Sequence, residues 1–267
     1  MAPVRAANDA GPAAEPGRRV PVVVVCSARP RVGRTLIARL LIEYFVADGR
    51  RPLGFDLNPN DPVLSDWLPA SAIRATIAET KGQMALFDRL VVNDGRPKVI
   101  DLAPDLFEAF FDVVRRISFA DGARARGIDT AALFVAEDHA RSLAAYHQIV
   151  DADDRIMVAP VRNQMGEVGG GWPLPAPTAG ATRIHIECLS PYLHGVVDRR
   201  RFSFAGFLAK PVNHPTPLHE WIGRAFVAFR DLELRLMMSE FAPFFRPAPR
   251  PSPGPRGPEP PEPRPAA

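Results

Sequence analysis

The stretch from Val22 to Leu41, VVVVCSARPRVGRTLIARLL, sets a β-branched run, a loop with three arginines and a helical pattern in immediate succession. A loop so placed can do phosphate chemistry, provided its backbone N–H groups turn inward and the following helix presents its N-terminus to the anion. Aligned on the pattern G-x-x-x-x-G-K-[ST], its residues are Ala28, Arg29, Pro30, Arg31, Val32, Gly33, Arg34 and Thr35. Gly33 and Thr35 match, and Thr35 offers a hydroxyl to Mg²⁺. Ala28 replaces the first glycine. Its methyl group is tolerated where φ is negative and strained where φ is positive. Arg34 replaces the lysine and keeps the charge, but its planar fork needs a different placement from a compact ammonium. The plainer alternative is a basic turn with a helix cap at Thr35.

Positioning such a loop takes a buried strand before it and a helix after it. Val20 to Cys26 is a continuous apolar run, as expected of a strand covered on both faces, and Thr35 to Ala47 carries helical apolar spacing that stops at Gly49. Strands are then predicted at Arg51–Asp56, Lys98–Leu102, Ala131–Ala136, Arg155–Pro160 and Arg183–Leu189. Helices are predicted at Asp105–Ile117, His139–Val150 and Pro217–Phe241, with a Gly/Pro-rich loop from Gly166 to Ala181. This alternation predicts a three-layer α/β fold, a mostly parallel sheet with helices on both faces.

At 267 residues the chain suits one domain, placed at 20–245. Residues 1–19, rich in Ala, Pro and Gly, are expected to form a disordered leader. Residues 246–267 have proline at nearly every second position and are expected to form an extended tail, either a spacer or a polyproline ligand. The formal charge of +3 is too small to argue for nucleic acid. No apolar run approaches the roughly 20 residues that span a bilayer, and no secretory segment is present, so a cytoplasmic location is expected. Cys26 and Cys188 both lie in apolar stretches and are expected to be buried, reduced thiols. The six histidines show no metal-ligand spacing, and no G-x-S-x-G supports a Ser-His-Asp site.

Taken with its order of elements, the loop resembles that of the ParA/MinD group of P-loop ATPases, over roughly Val20 to Phe241. That family's loop reads K-G-G-x-G-K-[ST]. Arg29 stands at the signature lysine, while Pro30 and Arg31 replace its two glycines. The family's second strand ends in D-x-D-P-Q or similar, which is matched here by Asp56, Leu57, Asn58, Pro59 and Asn60. Asp101 in VIDLAP matches the Walker B aspartate that assists Mg²⁺ through water, and Asn163 in VRNQ matches the asparagine that reads adenine. The resemblance implies an ATP–Mg²⁺ site controlling dimerisation or a partner, in cellular positioning, partition or transfer. Asn58 falls where the family carries the aspartate associated with the hydrolytic water, and an amide neither accepts that proton nor carries its charge. Together with Arg34, this predicts binding with weak or no hydrolysis.

Each of these positions also has a plainer account: Asp56 as a turn cap before proline, Asn163 as a loop strut. A nucleotide-free scaffold, a pseudo-ATPase acting through protein contacts alone, is the second reading. A third is an active ATPase whose hydrolytic group is Asp61 or Asp56. The cluster DRRRF, Asp198 to Phe202, is either surface or a weak DNA contact. In the C-terminal helix, Leu218, Ile222, Ala225, Phe229, Leu232 and Leu236 form the stripe expected to pack on the sheet. Trp221, Val227, Leu234, Met238 and Phe241 fall outside it and are available to a dimer mate, a membrane surface or a wider core.

Overall fold

A computed structural model describes residues 19–165 and 175–239. The leader but for Arg19, the Pro-rich tail, half of the Gly/Pro-rich loop and Phe241 lie outside the described residues. β1 (Val20–Cys26) is buried along its whole length, as its unbroken apolar sequence requires. Around it lie β2 (Leu53–Leu57), β3 (Ala72–Arg74), β4 (Lys98–Leu102), β5 (Ile128–Val135), β6 (Met157–Asn163) and β7 (Ile184–Ile186). They form a single sheet in the order β3-β2-β4-β1-β5-β6-β7, and each neighbouring pair is parallel.

Alternation along β1 sorts the two cores. Val23 and Val25 join the layer that holds α1 (Arg34–Ala47), α7 (Pro191–Val197), α8 (Phe204–Leu208) and α9 (Pro217–Ser239). Val20, Val22, Val24 and Cys26 join the opposite layer, with α3 (Thr80–Leu90), α4 (Phe107–Arg116), α5 (Phe119–Arg124) and α6 (Ala140–Ala152). Helices therefore cover both faces, as the sequence predicts. Each valine buried in this way stabilises the fold by about 1.5–3 kcal/mol relative to exposure.

α1 is buried on nearly every side, so its polar residues need internal partners. Arg39 donates to the carbonyl oxygens of Val197 (2.9 Å) and Phe202 (2.8 Å), between the rings of Trp67 and Phe204. Glu43 accepts from the Ser203 hydroxyl at 2.5 Å and the Ala205 N–H at 3.1 Å. At the far end Gly49 has φ 74°, its N–H meets the Val46 carbonyl at 3.0 Å, and the Arg50 N–H meets Phe45 at 2.9 Å. That double closure ends the helix where Gly49 predicts.

Several expectations are corrected. α2 (Val63–Trp67), β3, α3, α5, α7 and α8 are additional elements. The second strand starts at Leu53 rather than Arg51, the fifth begins earlier, at Ile128, and the sixth runs on to Asn163. Cys26 is buried but Cys188 is exposed, because β7 is only three residues long and has ended two residues before it. Trp221 belongs to the core, and its indole N–H donates to the Glu187 carbonyl at 2.7 Å. Val227, Leu234 and Met238 do lie on the exposed side of α9.

Candidate phosphate-binding site

The connection after β1 runs through α1 on one face of the sheet, and the connection after the adjacent β4 runs through α4 on the other. Neighbouring strands whose chains depart to opposite faces leave a crevice at their C-terminal ends, the usual ligand position in open parallel sheets. Here that crevice is a cleft of about 490 Å³. One wall is Pro30, Arg31, Gly33, Arg34 and Thr35; the other is Asn58, Asn60 and Asp61, with Ala103, Pro104 and Asp105 beyond β4. Ligand sites are commonly about 300–1,000 Å³.

The loop's shape follows from three backbone positions. Ala28 is buried and is not among the residues with positive φ, so its methyl replaces glycine without strain. Arg31 holds φ 63°, a left-handed conformation that costs a non-glycine residue about 1–2 kcal/mol. Gly33 holds φ 81° at the N-cap, and a Cβ there would lie 1.9 Å from Asn163 Nδ2. Gly33 is thus fixed twice, by conformation and by contact. Thr35 is not the cap; it lies inside the helix. The Ser27 hydroxyl donates to the Arg29 carbonyl at 2.8 Å and tightens the turn. Among the described residues, no acceptor meets the backbone N–H of Val32, Gly33, Arg34 or Thr35. Unpaired amides at the mouth of a helix are what an anion binds.

The side chains differ from that backbone in what they leave free. Asp101 pairs in register with Val25, so it faces the α1 side, and from there both its oxygens are taken. Arg34 donates its Nε–H to Oδ1, and the Thr35 hydroxyl donates to Oδ2 at 2.7 Å. Arg34 is only 7% exposed and Asp101 only 1%. Asp56 sits opposite Asp101 in the β2–β4 register and accepts from the Asn58 N–H (3.1 Å) and the Ser65 N–H (2.9 Å). Burial pushes its carboxyl above the usual aspartate range; the Ser65 hydrogen bond opposes the shift and nearby Asp101 adds to it. Asn58 accepts from the Asp61 N–H at 3.3 Å on the cleft rim. Asn163 is buried at the end of β6, donating to the Val32 carbonyl (2.8 Å) and accepting from the Met165 N–H (3.1 Å). Its amide is engaged in holding the loop.

Arg29 is half exposed and reaches Glu137, with Nη1 3.7 Å from Oε2. Burial raises the Glu137 carboxyl, and Arg29 partly offsets that shift. Arg31 forms no ion pair among the described residues. Of the three loop arginines it alone is uncommitted. The sequence reading misses Glu137 and Asp105 as site residues, while Asn60 falls in the segment it matched to the family's second strand end. Glu137 had a signal, as the first charged residue after the apolar run AALFVA, at the same edge of the sheet as the loop. No group of three His, Cys, Asp or Glu among the described residues is arranged to hold a metal.

No family model matches the sequence, and no curated protein matches it. Among solved structures, the chain is similar to a nucleotide-binding protein in complex with ADP from Archaeoglobus fulgidus. The two are 13% identical with a TM-score of 0.37, over 55% of this chain and 67% of that one. An overlap of that depth does not distinguish one parallel α/β architecture from another.

Proposed function

We propose that this protein binds a nucleotide through its phosphates, in the manner of the ParA/MinD group, with weak or no hydrolysis. The observation that carries the reading is that Gly33, Arg34 and Thr35, whose backbone N–H groups have no acceptor among the described residues, line a ligand-sized cleft at the sheet's switch point beside the uncommitted Arg31. ATP is the ligand to test first, with ADP and GTP beside it. The case against turnover rests on the inner wall. Asn58 carries no charge, and both oxygens of Asp56 accept from backbone N–H groups. Asp61 and Asp105, on the outer rim, are the carboxylates left for an active-enzyme reading. Nucleotide binding would control dimerisation or a partner. The exposed Val227, Leu234 and Met238 on α9 are the surface for a second copy.

Thermal melting with saturating nucleotide tests this. At one hundred times Kd a ligand specific for the folded state adds about 2.7 kcal/mol, which raises Tm by roughly 5–10 °C for a domain of this size. No shift with ATP, ADP or GTP refutes the reading. Brisk phosphate release that vanishes in Arg34→Ala refutes its slow-turnover half. A nucleotide-free scaffold is the second reading, favoured by the ion pair that holds Arg34 Nε to Asp101 at the cleft wall.

A further inference from the structure

The ParA/MinD likeness implies Mg²⁺ at Thr35 and Asp101, and these residues do not fit it. A hard dication needs anionic or neutral oxygens whose lone pairs point at it or at its waters. The Asp101 carboxylate is instead neutralised by a buried guanidinium on Oδ1 and capped by the Thr35 hydroxyl on Oδ2. A metal beside Thr35 would lie next to that guanidinium, in a pocket where charge repulsion is weakly screened. The second inner carboxylate gives no relief, because Asp56 is buried behind the Asn58 and Ser65 N–H groups and does not line the cleft. Asp61 and Asp105 line the opposite wall and are exposed.

Resting on the phosphate-binding reading above, we propose that the site takes a di- or triphosphate without a divalent cation, Arg31 and the loop amides supplying the positive charge. The arrangement divides three arginines among three tasks. Arg34 occupies the place of the metal-assisting charge by pairing with Asp101, Arg29 lies 3.7 Å from Glu137, and Arg31 remains for the anion. A left-handed arginine at position 31 adds a cation to the loop itself, where glycine would leave only amides.

Calorimetric titration of the full chain with ATP, ADP and inorganic pyrophosphate, in EDTA and again with excess Mg²⁺, decides it. The expected result is binding in EDTA, equal to or tighter than binding with Mg²⁺, because the metal neutralises charge that Arg31 would otherwise meet. Arg31→Ala should weaken the EDTA affinity by about tenfold or more, as expected on losing a charge-assisted contact. Binding that appears only with Mg²⁺, or tightens about tenfold with it, overturns the metal-free proposal and leaves the phosphate site standing. Absence of binding in both buffers overturns both readings. EDTA-resistant binding that Arg31→Ala leaves unchanged places the anion elsewhere and overturns the proposal.

Discussion

The pair Arg34–Asp101 permits a sharp test of the site's construction. Both groups are almost wholly enclosed, at 7% and 1% exposure, and Asp101 has no cationic partner other than Arg34 among the described residues. Removing one member of a buried pair strands the other without water or counter-charge, at a cost of about 3–5 kcal/mol. Arg34→Met keeps most of the side-chain volume and isolates that loss. For a domain of this size it corresponds to a Tm lower by roughly 6–20 °C. Asp101→Asn alone should cost a comparable amount, since it strands the guanidinium. Combining the two leaves no buried charge, and the amide oxygen introduced at position 101 still accepts from Thr35. The double variant should therefore be more stable than the sum of the single losses implies, by about 2–3 kcal/mol. Urea-induced unfolding of the four proteins at one pH and salt concentration measures that coupling. Additivity within about 0.5 kcal/mol, or an Arg34→Met loss below about 1 kcal/mol, would mean that Arg34 is not committed to Asp101. The case for a metal-free site would fall with it.

Gly33→Ala meets Asn163 at 1.9 Å and forces alanine to φ 81°, so it should destabilise by at least about 2 kcal/mol. Adding Asn163→Ala should recover only the steric part, as thermal melts would show. Arg31→Gly relieves the left-handed strain at φ 63° but gives the unfolded chain more freedom. The net expectation is a stabilisation of about 0.5–1 kcal/mol, together with weaker phosphate binding. Burial raises the Glu43 carboxyl above the usual glutamate range, against the pull of Ser203, Ala205 and Arg39. Its favourable contribution is complete below about pH 4.5 and is lost as pH rises through the folded value, because the unfolded chain ionises first. Wild-type stability relative to Glu43→Gln should thus fall in urea melts as pH rises above the ordinary glutamate range. A flat difference would contradict the assignment.

What the sequence discloses follows from where the information is stored. β1 and β4 are legible to the residue, because strands buried on both faces carry compact apolar runs, interrupted in β4 by Lys98 and Asp101 alone. α3 is not, since only Leu86, Phe87 and Leu90 of its eleven residues are buried and they leave a faint stripe. β3 has three residues on the sheet edge, too few to alternate visibly. α5 carries Gly122 and enters through Ser118 in a left-handed conformation, so neither propensity nor a side-chain cap announces it. At the site the loop is readable as a local pattern, but its partners are not. Arg34 meets Asp101 across 67 positions, and Asn163 meets Val32 across 131. Which charges are spent and which remain free is a property of the packed sheet, absent from any single stretch.

That separation explains how such a loop can hold its shape independently of the side chains it carries. The turn is held by backbone geometry at Gly33, by Asn163 beneath it, and by β1 between β4 and β5, none of which needs a ligand. Side chains at positions 29, 31 and 34 can then be exchanged without dismantling the cradle, provided each buried charge finds a partner. An arginine at position 34 meets that condition, since its fork reaches Asp101 and satisfies a carboxylate that would otherwise be stranded. On the metal-free reading proposed above, the same contact withdraws Asp101 from metal chemistry, and stability of the inner wall is set against metal-assisted turnover at this one ion pair.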